Sequence, residues 1–176
     1  NVESGNVSDM FFFFFFNAYG WLLVLFGISN GALQGFAENY AAYSYLVAPE
    51  PLPLARYSFI LAALGFALWF PTIALLFLLF PTGRLPSRRW WPFAALIGTA
   101  AAVLVTLLWR APSAELIPVP SPFHQADSLG RWADSLISTA IFVLMVSIAV
   151  SALSVIVRAV RAKGQARQQY KWLGLA

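Results

Sequence analysis

Four long apolar runs alternate with short polar or proline-bearing connectors along this chain. They extend from about Met10 to Phe36, Tyr57 to Phe80, Trp91 to Trp109 and Leu136 to Val157, and none contains Asp, Glu, Lys, Arg or His. An uncharged run of about 18 residues or more reads as a transmembrane helix, because about 20 residues rising 1.5 Å each cross a hydrocarbon core of about 30 Å. Helix is the only spanning form open to separate segments, since an isolated strand leaves its backbone N–H and C=O groups unsatisfied in lipid. The pattern therefore predicts an all-α fold: a polytopic transmembrane bundle of about four helices.

The connectors differ in kind. Residues Glu38 to Arg56 are polar and tyrosine-rich (Tyr40, Tyr43, Tyr45), then proline-rich (Pro49, Pro51, Pro53). Residues Arg110 to Asp134 form the longest connector, with Pro112, Pro118, Pro120 and Pro122. Between them lies the tight turn Pro81–Arg89. Three domain segments follow: a polar tail over residues 1–9, a transmembrane domain over 10–163 and a basic, aromatic tail over 164–176. The last span is expected to continue as helix past Val157 to about Lys163, with Gly164 ending or bending it. The start at Asn1, followed by acidic Glu3 and Asp9, lacks the basic opening of a signal peptide and reads as that of a processed or partial chain.

Charge orients the bundle. Of the eleven Lys and Arg residues, eight lie in the turn (Arg84, Arg88, Arg89) or the tail (Arg158, Arg161, Lys163, Arg167, Lys171). Cytoplasmic segments carry the excess of Lys and Arg, so both segments are expected in the cytoplasm. Four spans then leave both termini inside, and a bacterial inner (cytoplasmic) membrane is the expected location. The net charge of +4 suits lipid headgroups rather than nucleic acid, because the charges sit beside membrane segments.

Composition narrows the chemistry. The chain is 60% hydrophobic and 10% charged, against about 25% charged in soluble domains. With no cysteine there is no disulfide and no thiolate metal site. Spans without ionisable groups argue against a pump, a proton-coupled transporter or an ion channel. The single histidine, His124, with Asp127 nearby offers too few ligands for a metal site of the usual three or four. No phosphate-cradling glycine loop, nucleophile elbow or metalloprotease helix motif is visible. No cofactor and no catalytic residue are expected.

Several features suit packing or movement. Gly27, Gly31 and Gly35 share one face of the first span, and Ala94, Gly98, Ala102 and Thr106 repeat the spacing in the third. Small residues let helices approach closely in lipid, so these faces are candidates either for packing within the bundle or for a partner subunit. Ser147 and Ser151 offer a similar face in the fourth span. Pro71, inside the second span, removes a backbone hydrogen bond and is the candidate kink or hinge. Phe11–Phe16 cover every helix face and suggest no function. Aromatic residues at the span ends form an interfacial belt; Tyr40, Tyr43 and Tyr45 beside Glu38 are an alternative floor for an outer ligand pocket.

Three stretches carry a family resemblance. Asn17-Ala-Tyr-Gly-Trp-Leu-Leu is similar to an Asn-Pro-Ile-Gly-Trp-Leu-Leu helix start. Leu79-Phe-Pro-Thr-Gly-Arg-Leu-Pro-Ser-Arg-Arg-Trp resembles a Leu-Phe-Pro-Asp-Gly-Arg-Leu-Pro-Ser-Arg-Arg-Trp turn. Gly164-Gln-Ala-Arg-Gln-Gln-Tyr-Lys-Trp-Leu resembles a Gly-Val-Glu-Arg-Gln-Gln-Leu-Lys-Trp-Leu segment. They occur in this order in the membrane input regions of bacterial sensor histidine kinases, chiefly from actinobacteria and Chloroflexi. The resemblance covers about Asn17 to Ala176 and includes neither a phosphoacceptor histidine nor an ATP-binding part. It implies a non-catalytic sensory module that relays a state to a cytoplasmic output through its fourth span. The alternative is a structural or accessory subunit of a larger membrane complex, held to other transmembrane helices by its glycine faces.

Overall fold

The structure, a computed structural model, describes residues 18–50, 52–108, 123 and 128–161, with the backbone alone for 128–131. Its regular elements are all helical: α1 (Ala18–Leu46), α2 (Ala55–Leu79), α3 (Trp91–Leu107) and α4 (Ser128–Arg161), with a single 3₁₀ turn over Arg88–Trp90 leading into α3. All four, α3 counted together with the turn Arg88–Trp90 that leads into it, are long and apolar enough to cross a membrane. The six-phenylalanine run, His124, Asp127 and the tail from residue 162 lie outside the described residues.

Two boundaries differ from the apolar pattern. The segment Glu38–Leu46, polar enough to read as connector, continues α1. It contains no Pro or Gly, and Ala41 and Ser44 are buried on its inner side. The helix stops where the N–H groups of Val47 and Ala48 both return to the Tyr43 carbonyl, at 3.1 and 3.0 Å, just before Pro49. Helix α4 begins at Ser128, well before Leu136, and runs through Val157 to Arg161, the last described residue.

Helix α1 is not uniform. Its middle, Ile28–Ala37, is π-helical. Short polar side chains serve the carbonyls around this wider register: Ser29 Oγ and Asn30 Nδ2 donate to the Phe26 carbonyl at 3.0 and 3.1 Å, and Asn39 Nδ2 donates to that of Gly35 at 2.5 Å.

Helix α2 is the centre of the molecule. Over its most apolar window 56% of residues are buried, against 17% for α1, so α2 supplies most of the core. It packs against each of the other three helices, and α3 also packs against α4. Helix α1 has no comparable contact with α3 or α4 among the described residues. One stripe of α2 (Phe59, Ala63, Ala67, Phe70, Ala74, Leu78) joins Ile97, Ala100 and Leu104 of α3 and Ile137, Ala140 and Leu144 of α4 in one buried cluster. Ala41 of α1 reaches the same cluster, and another side of α2 meets α1 at Gly65. A methyl group there would lie 2.7 Å from Leu33 Cβ, 2.8 Å from Gln34 N and 2.9 Å from the Ser29 carbonyl oxygen. Close approach of two backbones in an apolar setting needs such a residue. Ser58 Oγ, on the same side, donates to the Ala37 carbonyl of α1 at 2.5 Å.

Helix α2 passes through Pro71 without interruption. Pro71 is buried, and the neighbouring Thr72 hydroxyl donates to the Leu68 carbonyl at 2.5 Å.

Candidate functional site

At one end of the bundle three segments meet: the start of α1, the end of α2 with the turn that follows, and the end of α4. The chemistry begins with a proline. An α-helix leaves its last four carbonyls without an intrahelical donor. Here the Phe80 N–H reaches the Leu76 carbonyl at 3.1 Å, and the Gly83 N–H reaches that of Leu79 at 2.8 Å. Gly83 makes this return with φ at +70°, a region that suits glycine. The Phe77 carbonyl would next look to the N–H of residue 81, which is Pro81 and has none. Arg158 fills the gap from α4: its Nη2 donates to the Phe77 carbonyl at 2.9 Å and its Nη1 to the Phe80 carbonyl at 2.5 Å. Its Nε donates to the Ser154 carbonyl of its own helix at 3.1 Å, which holds the guanidinium plane.

A cation over carbonyls at a helix C-terminus also meets the negative end of the helix dipole. The rigid fork of arginine serves two acceptors at once, which a lysine ammonium matches less well. Arg158 therefore caps α2 from another helix. It lies on the inward stripe of α4, in series with Leu144, Ser147, Ser151 and Val155, all buried.

Two hollows lie at this end of the bundle. One, of about 290 Å³, lies between α1 and α2 and is lined by Tyr19, Phe26, Ile73, Leu76, Phe77 and Phe80. Its aromatic wall includes a tilted Tyr19–Phe80 pair with centroids 5.8 Å apart. The Phe77 and Phe80 side chains thus line the hollow while their carbonyls bind Arg158. The other, an open cleft of about 480 Å³, is lined by Leu85, Ser87, Arg88 and Trp91 on the turn itself.

The opposite end is held by hydroxyls. Tyr40 Oη donates to the Pro53 carbonyl at 2.6 Å, and the Leu52 N–H donates to Ser44 Oγ at 2.7 Å. The Arg56 guanidinium stacks over the Phe123 ring, 4.1 Å from its centroid.

The candidate residues divide on this frame. Arg84, Arg88 and Arg89 are exposed on the turn, as is Arg161 on α4. Arg158 turns inward to the α2 carbonyls, where the sequence pattern placed it among headgroups; Lys163 lies outside the described residues. Among the described residues the glycine faces of the first and third spans meet no neighbouring helix. An added methyl at Gly27, Gly31 or Gly98 would meet nothing within 4 Å, and at Gly35 only the Asn30 carbonyl oxygen of the same helix, at 3.1 Å. Ala102 is exposed. The close-packing role falls instead to Gly65, a lone glycine between bulky residues whose spacing carried no signal. Tyr40 and Ser44 brace the α1–α2 connector, whereas Tyr43 is exposed. Among the described residues no group of three His, Cys, Asp or Glu side chains is placed to hold a metal.

No family model, curated protein or solved structure matches the chain. Its class rests on the helices themselves: this is an all-helical, multi-pass membrane protein.

Proposed function

We propose that the chain is a non-catalytic membrane input module of the sensor histidine kinase type, which passes a change among its helices to the segment following α4. The observation that supports this reading most is the Arg158 cap. Helix α4 leads to the C-terminal segment, and its inner end is tied by one guanidinium to the carbonyls of Phe77 and Phe80 on the central helix. Those two residues also line the hollow against α1. A shift of α1 against α2 therefore bears on Arg158, and through it on α4. In this reading the turn and the tail lie in the cytoplasm of a bacterial cell, following the distribution of Lys and Arg. Pro71 remains a candidate hinge, set within the buried stretch of α2 that would carry the shift. The partners are the bilayer and other transmembrane helices, without nucleic acid or cofactor.

A second reading is favoured by the outward face of α1. Among the described residues Gly27 and Gly31 stand open beside exposed Val24 and Ile28, as a face for another helix would. An accessory subunit of a larger membrane complex would use it.

One experiment separates the two. An antibody raised against the turn is used to detect the native protein in membranes of its host, by denaturing and native electrophoresis. The sensor reading expects a band far above 19.4 kDa that takes up labelled phosphate from ATP. A band at that mass within a larger native complex establishes the accessory reading and overturns the first.

A further inference from the structure

The open cleft on the turn is not used by the proposed relay, and its chemistry points to an occupant of its own. It is lined by an apolar residue, Leu85, a hydroxyl-bearing one, Ser87, a cationic one, Arg88, and the exposed Trp91. The turn joins α2 to α3 at the point where both spans end, so the cleft sits at the level of the headgroups. Three exposed arginines, Arg84, Arg88 and Arg89, fall within six residues, and no Asp or Glu occurs anywhere from residue 51 to residue 114. Nor is there any from residue 135 to residue 176, which covers the inner part and end of α4 at the same side. The turn therefore has no acidic residue in its own segment to neutralise it. The aromatic ring of Trp90 is turned away to pack edge-on against Phe93, at 5.5 Å and 83°, which leaves Trp91 as the indole of the cleft.

We infer that this cleft binds one anionic phospholipid: its phosphate on Arg88 and the Ser87 hydroxyl, and the upper part of an acyl chain along Leu85 and Trp91. A free phosphate would satisfy the cation but not the apolar walls, and a zwitterionic lipid would satisfy the walls while adding a second positive charge beside Arg88. A charge-assisted contact from arginine to a phosphodiester is the stronger kind of hydrogen bond and is geometrically selective. The inference is independent of whether the chain is a sensor input or an accessory subunit. It requires only that these helices span a bilayer.

The distinction from a diffuse electrostatic surface is local. Arg84 and Arg89 lie on the same turn but do not line the cleft. If charge alone mattered, each arginine would contribute about the same, near fivefold in lipid affinity. If the cleft is a site, Arg88 dominates.

The test is native mass spectrometry of the full chain released from a neutral detergent, titrated in parallel with phosphatidylglycerol and phosphatidylcholine of equal chain length. The expected result is one phosphatidylglycerol retained at a concentration at least about tenfold below that for phosphatidylcholine. Arg88→Gln removes most of that preference, while Arg84→Gln and Arg89→Gln keep most of it. Trp91→Ala weakens retention of both lipids, and excess glycerol phosphate, which lacks acyl chains, does not compete. Circular dichroism of each variant confirms that these exposed substitutions leave the helices intact. Equal retention of the two lipids overturns the inference. So does an equal loss in all three arginine variants, or displacement of the lipid by glycerol phosphate, which would mark a diffuse charge effect and a phosphate site respectively.

Discussion

The two ends of the bundle solve the same problem with different chemistry. At each, a proline-bearing connector leaves backbone groups that a helix cannot satisfy. At the connector between α1 and α2 the gaps are closed by neutral hydroxyls from nearby in the chain: Tyr40 to Pro53, and Ser44 from the Leu52 N–H. At the end bearing the basic turn the gap left by Pro81 is closed by a cation from far along the chain, Arg158 to Phe77 and Phe80. The first arrangement ties a connector to the helices it joins. The second ties the fourth helix to the second, so it constrains how the bundle is assembled. Neutral hydrogen bonds contribute about 1 kcal/mol net and those to charged groups about 1.5–3 kcal/mol. The turn end should therefore be the more sensitive to a single substitution.

The largest effect is expected between the two ends, at the crossing that sets both. Gly65→Leu drives a side chain into the backbone of α1, where even a methyl would lie within 2.7–2.9 Å of three atoms. A loss of about 3 kcal/mol or more is expected, with thermal unfolding in detergent lowered and amide exchange raised at both ends of α1. Exchange raised at one end only would show that the ends are set independently.

Next is Arg158→Ala, which leaves two carbonyls without their donor at the end of α2. A loss of about 2–4 kcal/mol is expected, with exchange rising in the last turn of α2 and the end of α4 while the Tyr40 end stays protected. Arg158→Lys recovers part of it, since an ammonium reaches one carbonyl more readily than two. If alanine costs no more than Tyr40→Phe, the contrast between the ends fails.

Ser58→Ala removes a buried donor to the Ala37 carbonyl, at the junction of the π-helical and α-helical parts of α1. About 1–2 kcal/mol is expected. Tyr40→Phe should cost less, about 0.5–1 kcal/mol, since its bond to Pro53 is exposed to solvent. Both should act on the Tyr40 end alone, read by exchange at Val47 and Ala48.

The smallest effect is expected for Gly31→Leu, within about 0.5 kcal/mol for the isolated chain, because nothing lies within 4 Å of the added carbon. A larger loss in native membranes than in dilute detergent would identify a second helix against that face.

How much of this was legible depended on whether the signal was local. Glu38–Leu46 misled because polarity was read as loop, although an unbroken Ala- and Tyr-rich stretch without Pro or Gly has no reason to leave the helix. The glycine series left its two readings open, because spacing shows which residues share a face but not whether a neighbour covers it. Gly65 was invisible for the converse reason: one glycine among Leu64 and Phe66 has no pattern, and its role appears only once α1 lies across it. Arg158 carried a partial signal. Pro81 marks an orphaned carbonyl at Phe77, and Arg158 falls in register with Ser147, Ser151 and Val155, but the two are joined only by the packing of α4 on α2.

The sequence by itself determined that the chain is helical, that it has four membrane-length spans, and that basic charge gathers on the turn and after the fourth span. Hydrocarbon length and backbone hydrogen bonding impose these, and neither depends on what a helix touches. Only the tertiary structure decided that α2 is the centre, that α1 crosses it closely at Gly65, and that Arg158 is a cap. In spans apolar on every face there is no polar side to mark what is outside, so the inward stripe is chosen by which small residues let two helices close and by which unsatisfied carbonyl lies within reach of a guanidinium.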